Sequence, residues 1–157
     1  MAVAERIGGR RGPQGPQGEQ GSPGGDVGAP IVWGANALGT TGTRYLLPGY
    51  TAQTAPTSVK RVRVPKACRA VSMHLTNSTP GFSADGTGQY TVTLCTVEND
   101  VATPTELTMS LGVLDRQGDA TGDVALSAGQ EIAVQVVLSG TVTNSPVDTF
   151  VTIGFEP

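Results

Sequence analysis

From Val59 onward the chain alternates between apolar and polar residues in short runs. Val59, Val62 and Val64 interleave with Lys60, Arg61 and Arg63. Val71, Met73 and Leu75 alternate with Ser72, His74 and Thr76, and Tyr90, Val92 and Leu94 with Thr91, Thr93 and Cys95. Leu107, Met109 and Leu111 follow the same rhythm, as do Ile132, Val134, Val136 and Leu138, and finally Val151, Ile153 and Phe155. A period of two sends successive side chains to opposite faces of an extended chain, so each run predicts a half-buried strand. Pro80-Gly81, Asp85-Gly86, Asn99-Asp100, Gly118-Asp119, Gly129 and Asn144-Ser145-Pro146 separate the runs with turn chemistry. Weaker strands are read around 44–47 and 123–126. No segment combines helical periodicity with a cap. The prediction is an all-β head over 57–157, an antiparallel jelly-roll-like β-sandwich, with 31–56 as a connector in front of it.

The N-terminal part obeys a different period. Glycine recurs at Gly9, Gly12, Gly15, Gly18, Gly21 and Gly24, six consecutive triplets, with Pro13 and Pro16 in the second triplet position and Pro23 in the third. Three polyproline-II chains wound together bring every third residue onto a common axis where only glycine fits, and proline fixes φ near the value those chains require. A flexible Gly/Pro linker shares the composition but has no reason to keep the phase. The register therefore predicts a collagen-like triple-helical stalk over 9–30, preceded by a short segment, 1–8. A triple helix imposes a homotrimer with three-fold symmetry. Six triplets would extend about 50–55 Å, too little to hold three chains together alone, because ordering each residue costs about 1 kcal/mol or more. The head must keep the chains adjacent.

A trimer gives meaning to a second feature of the strands. Several carry apolar groups on both faces: Cys95 and Val97 opposite the Tyr90 face, Ala133 and Val137 opposite the Ile132 face, Phe150 opposite the Val151 face. One face would fill the sandwich core. Val97, Val137 and Phe150 are the candidates for an interface between copies, the alternative being a second buried layer within one chain.

Composition narrows the function. The 157 residues include 22 Gly and 11 Pro, only 15% are charged, and the net charge is −3. A nucleic-acid binder would carry a basic face, and Lys60, Arg61 and Arg63 are too few to make one. No apolar run reaches the roughly 20 residues of a membrane span, and the first residues lack the apolar core of a signal peptide. Assembly in a cytoplasm is expected.

Candidate chemistry is sparse. His74 is the only histidine, and with no nucleophile motif beside it the expectation is a solvated strand residue and no enzymatic activity. Asp115, Asp119 and Asp123 recur every four residues without the spacing of a calcium loop, and read as a polar hairpin turn. Asp85-Gly-Thr-Gly88 is a weaker candidate still. No metal or cofactor is expected. Asn77-Ser-Thr79 matches the glycosylation sequon, which has no consequence without secretion. Cys68 and Cys95 make no framework. Pairing of the two strands around the 77–88 loop would bring them near each other, so a disulfide and two free thiols both stay open.

A short Gly-Pro-Gln run feeding a β-sandwich resembles the collagen-like fibre and appendage proteins of tailed bacteriophages, which decorate head, neck or tail. The resemblance rests on 62–75 (Val-Arg-Val-Pro-Lys-Ala-Cys-Arg-Ala-Val-Ser-Met-His-Leu), on the strand, asparagine turn and strand of 89–111, and on Ser-Ala-Gly-Gln-Glu-Ile-Ala-Val-Gln-Val at 127–136. It implies a trimer on a virion surface. The short segment 1–8, with the apolar Val3 and Ile7, is the expected attachment to another virion protein, the alternative being the opposite polarity with the head bound to the particle. The same architecture resembles collagen-like filaments of bacterial spores. A different class of function is adhesion, with the head gripping a host-surface glycan. Such sites favour aromatic platforms, and only 4% of residues are aromatic.

Overall fold

A computed structural model describes residues 29–49 and 53–157. The predicted stalk glycines Gly9, Gly12, Gly15, Gly18, Gly21 and Gly24, and the predicted anchor residues Val3 and Ile7, lie outside the described residues. Ten strands carry the described chain: β1 (Ile31–Ala37), β2 (Gly42–Tyr45), β3 (Leu47–Pro48), β4 (Val62–Arg63), β5 (Cys68–Thr79), β6 (Gln89–Glu98), β7 (Val101–Gly112), β8 (Gln117–Leu126), β9 (Glu131–Ser139) and β10 (Val147–Glu156). They form two antiparallel sheets. Sheet A has the order β3-β1-β10-β5-β8, and sheet B the order β2-β9-β6-β7, with the short β4 also on β9. No helix occurs among the described residues. The expected β-sandwich is what the chain builds.

The pairing is nested. β1 pairs with β10, β2 with β9, β5 with β8 and β6 with β7, as if the chain were folded double at the β6–β7 hairpin. That hairpin turns on Asn99 and Asp100, whose φ values of 50° and 64° are those of a two-residue turn matched to strand twist. The fold back places all consecutive partners antiparallel, and the residues with period-two spacing point inward from both sheets. Trp33, Leu75, Val151 and Ile153 from sheet A meet Tyr90, Leu94, Leu107, Ile132 and Val136 from sheet B, all with no exposed surface. Losing one of these side chains to alanine costs about 2–5 kcal/mol.

Three expectations are corrected. Residues 31–48, read as a connector, belong to the sandwich: β1 sits between β3 and β10, and Trp33 is wholly buried. Gly118-Asp119, read as a turn, lies inside β8, which runs from Gln117 to Leu126. Its inward positions are small because β8 closes tightly on β7. A Cβ on Gly118 would stand 2.7 Å from a Leu111 methyl, and one on Gly122 3.2 Å from Leu107. Finally, β5 and β6 do not pair across the 77–88 loop; they lie in opposite sheets.

The sandwich has two distinct ends. At the base lie Ala29, the C-terminal end of β10, the start of β5 and the Asn99-Asp100 turn. At the distal end lie the β5–β6, β7–β8 and β9–β10 connections. The core beneath the distal end is partly polar. The Asn77 amide donates to the Tyr90 hydroxyl (3.2 Å) and to the Asp115 carbonyl (3.0 Å), and the Tyr90 hydroxyl donates to that same carbonyl (3.2 Å). Burial pushes the Tyr90 phenol up to about 12, so it stays a donor. Asn77 is 7% exposed and its amide nitrogen is engaged, which closes the sequon to modification in the folded chain.

Candidate contact surfaces

The outer face of sheet B holds two of the three residues predicted for contact between copies. Register places Thr43, Val137 and Thr91 side by side, and Tyr45, Gln135 and Thr93 in the next row. Threonine and serine hydroxyls continue both rows onto β7, Thr91 with Ser110 at 2.9 Å and Thr93 with Thr108 at 2.8 Å. Such cross-strand pairs stabilise a sheet modestly. Val137 stands among them 37% exposed. Val97 is different. It packs with Tyr45 and Ala133, and with Val59 and Ala102 against them, and is 7% exposed. The 55–61 segment lies over this part of the sheet, with the Tyr45 amide donating to the Pro56 carbonyl at 2.8 Å. Val97 is thus consumed by a second buried layer within one chain, the alternative reading of the two-faced strands.

Phe150 lies on the other sheet. Its row on the outer face of sheet A runs Gly34, Phe150, Thr76, Gln117, and Gly34 leaves room beside the ring, since a Cβ there would stand 3.5 Å from it. The three residues therefore do not converge on one patch. The neighbouring row contains His74, whose Nδ1 is 2.5 Å from Asp119, and Arg69 pairs with Asp123 beyond it. Both pairs are exposed, and such pairs contribute little stability. The predicted aspartate series is divided accordingly: Asp119 and Asp123 face outward with separate basic partners, while Asp115 accepts the Gly112 amide at 2.8 Å inside the turn. Among the described residues no group of three His, Cys, Asp or Glu side chains converges. Nor is the basic stretch available as a patch. Arg61 pairs with Asp100 and Glu131, and Arg63 with Glu131 at 3.4 Å.

The two cysteines are free. Cys68 opens β5 on sheet A and Cys95 lies mid-β6 on sheet B, so the strand pairing that would have brought them together is absent. Burial pushes the Cys95 thiol up to about 11. Cys68 is half-buried, and burial raises its thiol too, against the positive charge of Lys66.

The distal end is the most tightly built loop cluster. Phe82 and Asn144 exchange backbone hydrogen bonds, with the Phe82 amide donating at 2.8 Å and its carbonyl accepting from Thr143 and Asn144 at 2.8 and 3.1 Å. Asp85 accepts from Ser83 Oγ (2.9 Å), the Thr87 amide (3.0 Å) and Thr87 Oγ1 (2.8 Å). The Thr141 hydroxyl, followed by these donors, holds its carboxyl well below the usual carboxylate range. What looked like a faint metal loop is a carboxylate organising a turn. Gly140, at φ 67°, allows the two loops to meet: a Cβ there would stand 2.1 Å from the Thr87 carbonyl oxygen. On this braced platform Phe82 is 50% exposed, and Leu114 on the adjacent β7–β8 turn is 63% exposed. Sequence reasoning passed over both, because neither lies in a periodic run.

At the base, an apolar cavity of about 210 Å³ opens between the sheets, lined by Ala29, Ile31, Val64, Cys68 and Phe155 among others. No protein-family model and no curated protein matches this chain.

Proposed function

We propose that the chain is a non-enzymatic structural protein of a tailed-phage particle, a homotrimeric fibre or decoration assembled in the host cytoplasm and displayed on the virion surface. Three copies join through the collagen-like stalk, and the segment 1–8 attaches them to another virion protein, with Val3 and Ile7 as the docking side chains. The observation that carries this reading is the unbroken run of six Gly-x-y triplets ending five residues before β1, at Asp26. Only an axial packing of three chains gives that register a physical cause. The head supports it in two ways. Its nested strand pairing is the pattern of a jelly roll, a double-layered ribbon rolled into two sheets. Its first described residue, Ala29, also lies at the base, at the opposite end from the braced loops.

Light scattering on the full chain tests the reading. The expected mass is three times the 16.0 kDa of one chain; a single-chain mass overturns it. Deletion of residues 1–8 should leave the trimer intact and abolish loading onto particles.

The exposed Phe82 and Leu114 favour a second role at the distal end, adhesion to a host-surface glycan. An aromatic ring on a rigid loop gives a sugar a stacking face at low entropic cost, and three linked heads would multiply weak contacts. Phe82→Ala should weaken cell binding of the trimer without changing its melting temperature. Unchanged binding removes this role and leaves the structural one.

A further inference from the structure

The apolar cavity at the base lies beside Ala29, where the described part of the head begins. Its wall includes Ala29, the first described residue, together with Ile31 of β1, Val64, Cys68 at the start of β5 and Phe155 of β10. Val64 and Phe155 are 2% and 6% exposed, so the wall is continuous with the hydrophobic core and the cavity is an opening of that core toward solvent. The last in-phase axial glycine, Gly24, is five residues before Ala29. At no more than about 3.6 Å per residue, Ala29 cannot be farther than roughly 18 Å from the chain's place at the axis. Five strands at about 4.8 Å spacing make a sheet roughly 24 Å wide. A chain tied that closely cannot carry its cavity to the far side of the head. Three heads on one stalk are therefore each held with the Ala29 corner close to the axis.

We infer that the cavity is an interface, closed in the trimer by a second copy of this chain, which sets its own Ala29–Ile31 corner against the mouth. The inference rests on the trimeric stalk proposed above and adds where the heads touch. It gives a role to an apolar wall that the described residues leave open: the area it exposes is removed from water on assembly. It also separates the base from the two sheet faces. Val137 and Phe150, on opposite outer faces, point away from each other, whereas the three base corners are held near the proposed axis by the chain itself.

Cys68 supplies the test, because it lines the cavity while Cys95 is buried elsewhere, in mid-β6. The intact protein is treated with a bulky maleimide and the adducts at Cys68 are counted by mass spectrometry. Cys68 is expected to stay unmodified while light scattering gives three chains, and Ala29→Arg, which wedges the corner off the mouth, should open it to the reagent. A trimeric mass with Cys68 modified in the parent protein, or protected equally in Ala29→Arg, overturns the interface but leaves the stalk. A single-chain mass overturns both.

Discussion

Two glycines offer a measurement of how firmly the distal loops are joined. Gly129 and Gly140 both have left-handed backbones, φ 83° and 67°, but their surroundings differ. A Cβ at Gly129 meets nothing within 4 Å, whereas at Gly140 it would stand 2.1 Å from the Thr87 carbonyl oxygen and 2.7 Å from its carbon. Gly129→Ala should then cost only the conformational strain of an L-residue in this region, about 1–2 kcal/mol. Gly140→Ala carries the same strain plus an overlap with backbone. Relieving it requires the 140–146 segment to move off the 80–88 loop, with loss of hydrogen bonds such as Phe82 to Asn144 and Thr141 to Thr87. With each net bond worth about 1 kcal/mol, Gly140→Ala should cost about 3–5 kcal/mol in all. Urea denaturation of both variants beside the parent protein reads the difference directly. A shift of the same size in both variants would refute the claim that the two loops touch.

Three further outcomes follow from the sequence and the head. Gly15→Ala should remove the polyproline circular dichroism signal while the β signal survives, since an axial Cβ has no room in a triple helix; melting of both signals in one step would show that stalk and head are not separate folding units. Cys95 should react with a thiol reagent only once the chain is unfolded, because its thiol is enclosed and raised to about 11; a native rate equal to the unfolded one would contradict its burial. Asp85 has a folded pKa below its unfolded value, so its contribution is full above the ordinary carboxylate range and fades as pH falls toward the depressed value. The Thr87 amide resonance should accordingly hold its position through the ordinary carboxylate range and move only in stronger acid, and a midpoint at the ordinary value would mean the cluster does not form.

The strands legible from the sequence are those with a strong difference between faces. In β9, Ile132, Val134, Val136 and Leu138 all point into the core, and β10 repeats the pattern with Val151, Ile153 and Phe155. β1 escaped because its faces contrast weakly: the inward Ile31, Trp33 and Ala35 alternate with an outward Val32 before Gly34 and Asn36, and the last inward residue is small. β8 escaped for the reverse of the usual reason. Its inward Gly118, Ala120 and Gly122 are small so that Leu107 and Leu111 can fill the space between sheets, and small residues beside aspartates imitate a turn. Which sheet a strand joins was not legible either. β5 and β6 are neighbours in sequence, yet the loop between them crosses from one sheet to the other, and no local pattern encodes that crossing. Of the surface residues, Val137 and Phe150 were correctly placed on faces opposite the core. Val97 was too, but the segment covering it contributes through Val59, a residue whose alternation suggested a strand.

Nested pairing also governs when the head can form. Ile31 faces Ile153 across the ladder, so the first strand of the sandwich waits for the last. During synthesis, N-terminal regions emerge well before C-terminal ones, and β1 leaves the ribosome long before β10 exists to pair with it. Contacts so distant in sequence are slow to close. A nascent chain would therefore carry β1 and β5 with open edges, which are templates for wrong pairing, until translation passes Glu156. Any truncation that stops short of Val147 should leave a sticky, incomplete sheet rather than a smaller head.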